Sequence, residues 1–282
     1  MNEVISGGFA LQGKQPWSRD YIRVLSWNVE RGVRFSAILE FLRTAEADLI
    51  LLQEVDLKTR RTQFRDVPHE LARSLQLNYV FGTEFQELSA SSGRSARHGQ
   101  VTLSPWPLSN GRIIRFQSQS NFWKPRWYVP EIELFQRRLG GRIALVSEAV
   151  IYCQRLMTYN LHLESRGKDA LRIRQLKESL KDAMQHLESN VVIVGGDFNL
   201  DTGNGDAAAA LHRAGFHDAV GLPGIATTAR LPFQRARCID WIYVSDGVRT
   251  DGKIHNTIRV SDHYPVSATL PKQSPADAHL IV

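Results

Sequence analysis

Two polar side chains that could act on a phosphate follow a short apolar run in the C-terminal half of the chain. Residues 191–194, Val-Val-Ile-Val, are typical of a buried strand. Gly195 and Gly196 are expected to end that strand in a turn where the backbone can approach a ligand. In an extended chain Asp197 and Asn199 would face the same side, so a water-activating carboxylate and an anion-holding amide would share one spot. The alternative is an Asx turn that caps the strand.

Other polar residues recur at predicted strand ends, strand starts and turns. Carboxylates supply the hard oxygen ligands that suit Mg²⁺ or Mn²⁺, and a histidine beside a carboxylate can be held charged or oriented. Phosphoryl chemistry needs a metal to neutralise charge, a positioned nucleophile and donors around the phosphate. Taken singly, each residue has a structural alternative, such as a solvated strand face, an arginine pair or a turn cap. Together they favour phosphoester chemistry, and the full set is Asn28, Glu54, His162, Asp197, Asn199, Asp240, Asp262 and His263.

Hydrophobic periodicity predicts a chain dominated by strands with a few helices. The predicted helices span 34–46, 68–76, 169–188 and 206–214. The predicted strands span 21–27, 48–53, 78–85, 99–104, 108–116, 142–151, 155–163, 191–194, 238–244 and 266–270. Because several neighbouring strands form hairpins, the pattern favours an α+β layered domain with largely antiparallel sheets. The predicted division is an extended arm over 1–20, one domain over 21–271 and a loose tail over 272–282.

Composition favours a globular protein with an anionic partner. Hydrophobic residues make up 43% and charged residues 23% of 282 residues, which suits a sizeable core. The net charge of +6 favours a polyanionic or phosphate-bearing partner. Cys153 and Cys238 lack zinc-site spacing and suggest a reduced environment. With neither a membrane-length apolar run nor a secretory signal in view, we expect a cytoplasmic location and no stable membrane association.

Several motifs occur in the order found in the endonuclease/exonuclease/phosphatase superfamily, which includes DNase I-like nucleases, and the chain resembles that superfamily over about residues 21–270. The His-Leu-Glu-Ser-Arg-Gly run at 162–167 is similar to the superfamily's tyrosyl-DNA phosphodiesterase branch. The motifs are Trp27-Asn28, Gln53-Glu54, Asn160-Leu-His162-Leu-Glu164-Ser-Arg166, Gly195-Gly-Asp197-Phe-Asn199, Ile239-Asp240-Trp-Ile and Ser261-Asp262-His263.

This resemblance implies a four-layer α/β/β/α sandwich, DNase I-like, with the site at one edge of its paired sheets. It also implies hydrolysis of a phosphoester by water with Mg²⁺ or Mn²⁺ as cofactor. By position, Glu54 resembles the principal metal ligand, supported by Asn28 and Asp262.

The resemblance also assigns the catalytic groups. Asp197 corresponds to the residue that orients or deprotonates the water. Asn199 and His162 correspond to phosphate contacts. His263 corresponds to the phosphate-stabilising histidine, held by Asp240.

Two loops are candidates for substrate selection. Residues 121–128 place aromatics among cations, a combination suited to unstacked nucleic acid, and residues 89–98 are small, polar and basic. The alternatives are aromatics that pack the sandwich edge and a solvated loop. The predicted substrate-binding residues, with the arginine of the 162–167 run, are Arg94, Arg97, His98, Trp123, Lys124, Arg126, Trp127 and Arg166.

The sequence therefore predicts a Mg²⁺-dependent phosphodiesterase or nuclease acting on DNA or RNA. The alternative substrates are an inositol phosphate or a phospholipid, the latter in a sphingomyelinase-like role. A calcineurin-like dinuclear phosphatase would show an N-terminal Asp-x-His and a later Gly-Asn-His, and neither occurs. A non-catalytic phosphate- or nucleic-acid-binding module on the same fold would have lost Glu54, Asp197 or His263, yet all three stand.

Overall fold

The computed structural model describes residues 3–11, 19–88, 96–120, 122, 128, 138–152, 154–202, 205–222, 224–229, 235–245 and 247–272. Four α-helices occur in this part: α1 (Phe35–Ala45), α2 (Val67–Leu75), α3 (Asp169–Ala183) and α4 (Gly205–Arg213). Its strands are β1 (Val4–Gly8), β2 (Tyr21–Arg31), β3 (Leu49–Leu57), β4 (Asn78–Glu87), β5 (Arg97–Ser104), β6 (Leu108–Arg115), β7 (Arg138–Gly140), β8 (Ile143–Ile151), β9 (Gln154–His162), β10 (Val191–Asp197), β11 (Phe216–Asp218), β12 (Asp240–Ser245), β13 (Asp251–Ile254) and β14 (Val266–Pro271).

The strands form two mixed sheets. The first, called sheet A, has the order β1-β4-β5-β3-β2-β14-β13, with β7 beside β4. The second, called sheet B, has the order β11-β12-β10-β9-β8-β6. Neighbours are antiparallel except β2 with β3 in sheet A and β9 with β10 in sheet B. The α+β prediction with mainly antiparallel sheets is therefore confirmed.

The two sheets pack face to face through alternate residues of their central strands. Val24 and Leu51 of sheet A belong to the same buried cluster as Ile193 and Ile242 of sheet B. In a strand, successive side chains point to opposite faces, so each central strand contributes to this inner core with every second residue. The inner core ends where the strands end, which leaves one edge of the sandwich for polar side chains.

Helices cover the outer faces of both sheets. On sheet A, Ile38 of α1 and Leu71 of α2 pack in one cluster with Leu52, a residue on the face opposite to Leu51. On sheet B, Leu176 of α3 packs in another cluster with Val194 and with α4. The layer order is therefore helix, sheet, sheet, helix, as in the DNase I-like sandwich that the motifs implied.

Several details differ from the sequence prediction, among them the short strands β7, β11 and β13, which were not predicted. β2 and β3 do not end at Asn28 and Glu54 but continue through bulges to Arg31 and Leu57. β10 runs through both glycines and ends at Asp197. Part of the predicted N-terminal arm is β1, which pairs with β4 from Val4 to Gly8 and extends sheet A. Within the described residues, no helix has the length and apolar character needed to cross a membrane.

Candidate active site

Three of the predicted site residues lie side by side in sheet B. β9 and β10 are parallel and in register, so their last residues, His162 and Asp197, are direct partners. β12 runs antiparallel to β10 and begins at Asp240, directly opposite Asp197. One imidazole and two carboxylates therefore meet at one edge of the sheet, and all three side chains are buried.

Gly196 allows β9 and β10 to approach closely just before His162 and Asp197. Its φ is +142°, and a Cβ atom there would lie 1.9 Å from the carbonyl oxygen of Leu161 on β9. Only glycine fits such a backbone without strain. The sequence assigned the glycine pair to a ligand-facing turn; Gly196 instead serves strand packing, and so fixes where Asp197 stands relative to His162.

Directly after β10 the chain forms the Asx turn that the sequence offered as the alternative to an extended segment. The backbone N–H of Asn199 donates to Oδ1 of Asp197 at 2.8 Å. Asn199 itself is in the left-handed region, with φ +50°, and its Nδ2 donates to the carbonyl of Leu163 at 3.2 Å. The expectation of an extended Asp-x-Asn was wrong, because the carboxylate satisfies the first free N–H after the strand. Both side chains nevertheless line the same pocket.

Sheet A brings Asn28 and Glu54 to the same edge from adjacent parallel strands. The β2–β3 register shifts after Asn28, and the β3–β5 register shifts between Leu52 and Val55, on either side of Glu54. Glu54 has φ +51°, so the bulge holds it in the left-handed region. Bulges re-aim side chains, and here the result is a carboxylate that is 22% exposed and lines the pocket.

The Oδ2 atom of Asp197 is the centre of the site. It accepts a hydrogen bond from Nδ2 of Asn28 at 3.0 Å. The Nε2 atoms of His162 and His263 each lie 3.7 Å from it. Asp197 is therefore surrounded by one amide and two imidazoles that come from both sheets and from the 261–263 turn.

The ring of His263 is held in place by a buried carboxylate, that of Asp240. Its Nδ1 lies 2.9 Å from both oxygens of Asp240, which also accepts a hydrogen bond from Thr227 Oγ1 at 2.6 Å. The indole N–H of Trp27 donates to the carbonyl of His263 at 2.9 Å. Burial by itself lowers the pKa of His263, but Asp240 and Asp197 outweigh it and raise that pKa to about 10. The ring is thus a cation whose Nε2 points toward Asp197.

His162 lies against a buried ion pair that the sequence analysis missed. Its Nδ1 lies 3.2 Å from Oε1 of Glu84 and 2.8 Å from Nη1 of Arg142, and that guanidinium also donates to Glu84 Oε2 at 2.8 Å. Burial raises the pKa of the Glu84 carboxyl, but His162 and Arg142 outweigh it and lower that pKa to about 2. Both residues lie inside strand-rich segments without a distinctive motif, so only tertiary structure brings them to His162.

The donor set at Glu54 fits a divalent cation. The nearby side-chain nitrogens, Arg31 Nε at 3.9 Å and His162 Nε2 at 4.0 Å, lie beyond hydrogen-bond distance of its oxygens. Burial raises the pKa of Glu54, but positive charges on His98, His162 and arginines outweigh it and lower that pKa well below the ordinary range. The group is therefore an ionised oxygen ligand. Asn28 and Asp262 line the same pocket with further oxygen atoms, the hard donors that Mg²⁺ prefers.

These residues enclose a polar pocket of about 220 Å³, called the catalytic pocket. All the predicted catalytic and metal-binding residues line it except Asp240, which lies behind His263. Two exposed arginines that the sequence analysis did not select, Arg235 and Arg237, also line it. Arg237 donates to the backbone carbonyl of Asn199 at 2.9 Å.

The predicted substrate-binding residues fall into three groups. Arg166 is exposed next to Ser165 of the catalytic pocket, and its guanidinium lies 5.1 Å from the ring centroid of Phe122. Arg97 begins β5 and pairs with Glu3 at 2.6 Å, so its contact with substrate stays a prediction. Outside the described residues are Arg94, Trp123, Lys124, Arg126 and Trp127.

His98 does not belong to an exposed loop, and its predicted substrate contact was wrong. It is the second residue of β5 and only 1% exposed. Its Nδ1 lies 2.8 Å from Oδ1 of Asp56, and Arg61 binds the same carboxylate through Nε at 2.5 Å and Nη2 at 2.7 Å. Asp56, Glu87 and His98 lie close enough to form a metal-like cluster, but Arg61 also binds Glu87 at 2.9 Å. This group is an ion-pair network beneath Glu54.

The fold and the site together define a hydrolase of phosphoric esters. The model of the Endonuclease/Exonuclease/phosphatase family matches residues 25–263, and the chain belongs to that family. No curated protein sequence is similar enough to count as a match.

Solved structures share the fold at low sequence identity. An endonuclease/exonuclease/phosphatase from Beutenbergia cavernae is 18% identical, with 90% of this chain and 72% of that chain covered and a TM-score of 0.65. TDP2 from Caenorhabditis elegans is 19% identical, with 89% and 75% covered and a TM-score of 0.62. The mannosyl-6-phosphatase Bt3783 from Bacteroides thetaiotaomicron is 16% identical, with 89% and 100% covered and a TM-score of 0.63.

Proposed function

We propose that this protein is a divalent-metal-dependent phosphodiesterase that hydrolyses DNA or RNA by attack of water at phosphorus. The observation that carries the proposal is the position of Asp197, whose Oδ2 lies among Asn28, His162 and His263 in a polar pocket. A carboxylate in this place can orient or deprotonate a water, while two imidazoles and an amide offer donors to phosphate oxygens.

The metal would be Mg²⁺ or Mn²⁺, held by Glu54 with support from Asn28 and Asp262. When bound, it would neutralise negative charge on the phosphate. His263, held by Asp240, would donate from Nε2 to a phosphate oxygen. His162, beside Glu84 and Arg142, would do the same from its Nε2, which also lies 3.7 Å from Oδ2 of Asp197.

Polynucleotide is favoured over other phosphoesters by charge and by the pocket rim. The chain carries a net charge of +6, and Arg166, Arg235 and Arg237 lie at or in the pocket. Phosphodiester backbones bind such cations through charge. The similarity to TDP2 and to a mannosyl-6-phosphatase shows a shared fold, and a pocket of about 220 Å³ would also admit a phosphomonoester, which is the second candidate.

The test is hydrolysis of a substrate panel with Mg²⁺, with Mn²⁺ and with EDTA. The panel holds single- and double-stranded DNA, RNA, 5′-tyrosyl DNA, an inositol polyphosphate, sphingomyelin and a sugar phosphate. Asp197→Asn and Glu54→Gln are compared with Asp206→Asn and Glu188→Gln, which make the same changes at exposed positions on the helical side. We expect loss of about 10²–10⁴-fold in kcat for the first pair only.

The outcomes separate the alternatives. Cleavage of a nucleic acid that needs metal, Asp197 and Glu54 supports the proposal. Turnover restricted to the sugar phosphate, inositol phosphate or lipid would keep the mechanism and reject the nucleic-acid substrate. Failure to hydrolyse any member of the panel with either metal would reject the proposed function.

A further inference from the structure

A second depression adjoins the catalytic pocket. Its volume is about 580 Å³, and we call it the flanking pocket. It is lined by Ile225, Ala226, Thr228, Ala236, Asn256, Thr257, Arg259 and Tyr264. None of these residues belongs to the metal-binding or catalytic set described above.

The two pockets are separated by a single wall. Thr228 lines both of them and forms an isolated β-bridge with His263. The N–H of Tyr264 donates to the carbonyl of Thr227 at 2.6 Å, which fixes the backbone between the pockets. His263 lines the catalytic pocket and the next residue, Tyr264, lines the flanking pocket. A ligand that leaves the catalytic pocket over Thr228 therefore arrives at Tyr264.

Size indicates that a substrate extends across this wall. Pockets that hold small-molecule ligands usually measure about 300–1,000 Å³. The catalytic pocket, at about 220 Å³, lies below that range, whereas the flanking pocket, at about 580 Å³, lies inside it. The first volume accommodates a phosphate, and the second accommodates a ring system joined to it.

The lining of the flanking pocket suits a nucleoside. Tyr264 is partly exposed and offers an aromatic face, and Ile225 is 45% exposed and adds an apolar surface. Asn256 is exposed and can exchange hydrogen bonds with the edge of a base. Arg259 is exposed at the pocket, and none of the described residues that line it carries a carboxylate. Aromatic, amide and guanidinium groups together form a platform for an unstacked base with a neighbouring phosphate.

We propose that the flanking pocket binds the nucleoside attached to the scissile phosphate. Its base stacks on Tyr264, and the next phosphate of the strand lies at Arg259. This deepens the proposed function and rests on it, because it assumes a single-stranded or locally unstacked polynucleotide in the catalytic pocket.

Binding is tested without turnover. A fluorescein-labelled single-stranded deoxynucleotide is titrated in EDTA against wild type, Tyr264→Ala, Tyr264→Phe, Arg259→Gln and Arg213→Gln. The last variant removes one exposed arginine at the end of α4 and is the matched control for charge. Stacking on an aromatic side chain supports a rise of about 5- to 100-fold in Kd for Tyr264→Ala and little change for Tyr264→Phe.

The contact of Arg259 with a phosphate is tested separately, by the salt dependence of binding. Loss of one phosphate contact weakens binding and reduces the slope of log K against log salt by about one unit. Arg259→Gln is expected to show this change and Arg213→Gln is not. Equal effects of the two variants would mean that Arg259 acts only through net charge, and that result would overturn its assignment.

A base-free substrate separates failure of the flanking pocket from failure of the proposed function. With Mg²⁺, Tyr264→Ala is expected to raise KM for the oligonucleotide about 5- to 100-fold and to change kcat/KM much less for an abasic tetrahydrofuran oligomer, which keeps the phosphodiester but has no ring to stack. An equal loss on both substrates would show that the substitution disturbs the catalytic pocket, and would reject the subsite. An unchanged Kd and KM would reject it as well, even if wild type cleaves nucleic acid. If wild type binds the oligonucleotide through Tyr264 but cleaves neither substrate, the proposed function fails and the binding site stands.

Discussion

Asn28 of sheet A and Asp197 of sheet B are joined by a hydrogen bond across the edge of the sandwich. Nδ2 of Asn28 donates to Oδ2 of Asp197 at 3.0 Å, and Oδ1 of Asn28 accepts the backbone N–H of Glu30 at 3.1 Å. Because both ends of the amide are engaged, its orientation is fixed. The bulge in β2 therefore positions a carboxylate that belongs to the other sheet.

Removal of this amide should impair the reaction more than the fold. We expect Asn28→Ala to lower kcat about 10- to 100-fold, because Oδ2 of Asp197 loses the hydrogen bond from Nδ2 and the pocket loses one candidate metal contact. Asn190→Ala, which removes a partly exposed amide at the start of β10, is the control and should leave kcat unchanged. Steady-state kinetics with each variant at saturating Mg²⁺ measure this. An Asn28→Ala enzyme with unaltered kcat would contradict the positioning role.

Removing the Asp240 charge should lower kcat more than removing the hydroxyl group that supports Asp240. Asp240→Asn removes the charge that keeps the imidazole protonated, and we expect kcat to fall about 10²-fold or more. Thr227→Val removes only the hydroxyl that donates to Asp240 at 2.6 Å, and a smaller loss of about 3- to 10-fold is expected. Kinetics on the substrate identified by the panel measure both. The reverse order of effects would show that Thr227, rather than Asp240, controls His263.

Glu84 and Arg142 should show strong non-additivity. Glu84 is 0% and Arg142 3% exposed, and they are bound at 2.8 Å. Arg142→Met alone leaves the buried Glu84 carboxylate without the guanidinium that binds it, and we expect the free energy of unfolding to fall by about 3–5 kcal/mol. Adding Glu84→Gln should recover part of that loss.

Urea denaturation of wild type, Arg142→Met, Glu84→Gln and the double variant completes the double-mutant cycle. An interaction energy near zero would show that the two charges act independently. Activity supplies a second measurement: Glu84→Gln should lower kcat because the negative charge 3.2 Å from His162 Nδ1 is lost, while retention of full kcat would exclude a role for Glu84 in positioning the ring.

The site could be predicted from the sequence because, in sheet B, the side chains that can do chemistry lie at strand ends. His162 lies next to the last residue of one predicted strand and Asp197 shortly after another, and the parallel pairing of β9 and β10 makes them neighbours. Asn28 and Glu54, predicted as metal ligands, also line the pocket, although the predicted strand ends were wrong. β3 is apolar on both faces from Leu49 to Leu52, so its sequence has no alternation whose phase would show where the register shifts.

Residues that position a pocket residue without lining the pocket themselves could not be predicted from strand ends. Glu84 and Arg142 are 58 positions apart, and each lies beside apolar strand residues in the sequence. Their function follows from the contact of β4, β8 and β9 in three dimensions. His98 shows the opposite error: a polar neighbourhood in the sequence suggested exposure, but β5 is a central strand and buries it against Asp56.

Gly196 offers a test of the close approach between β9 and β10. Gly196→Ala would place Cβ 1.9 Å from a backbone oxygen, and strands must separate to relieve it. We expect the free energy of unfolding to fall by about 3–5 kcal/mol, the upper range for single substitutions. Gly247→Ala is the matched control, since Gly247 also has positive φ, +84°, but nothing within 4 Å of the added Cβ. It should cost only about 1 kcal/mol. Similar losses in urea denaturation would show that φ, not the Leu161 contact, requires glycine at position 196.

His255 should make the protein sensitive to mild acid. Burial, followed by the charges of Lys253 and Arg23, lowers the pKa of His255 to about 4, and its Nε2 lies 2.9 Å from Ser267 Oγ. The unfolded chain, with a histidine pKa of about 6.5, therefore binds a proton first as the pH falls. The contribution of His255 to stability is complete above about pH 6.5 and is lost between about pH 6.5 and 4, by roughly 1–3 kcal/mol. Urea denaturation at intervals from pH 7.5 to 4.5 measures the slope. His255→Gln should flatten this slope relative to wild type, and an equal slope in both proteins would show that His255 titrates normally in the fold.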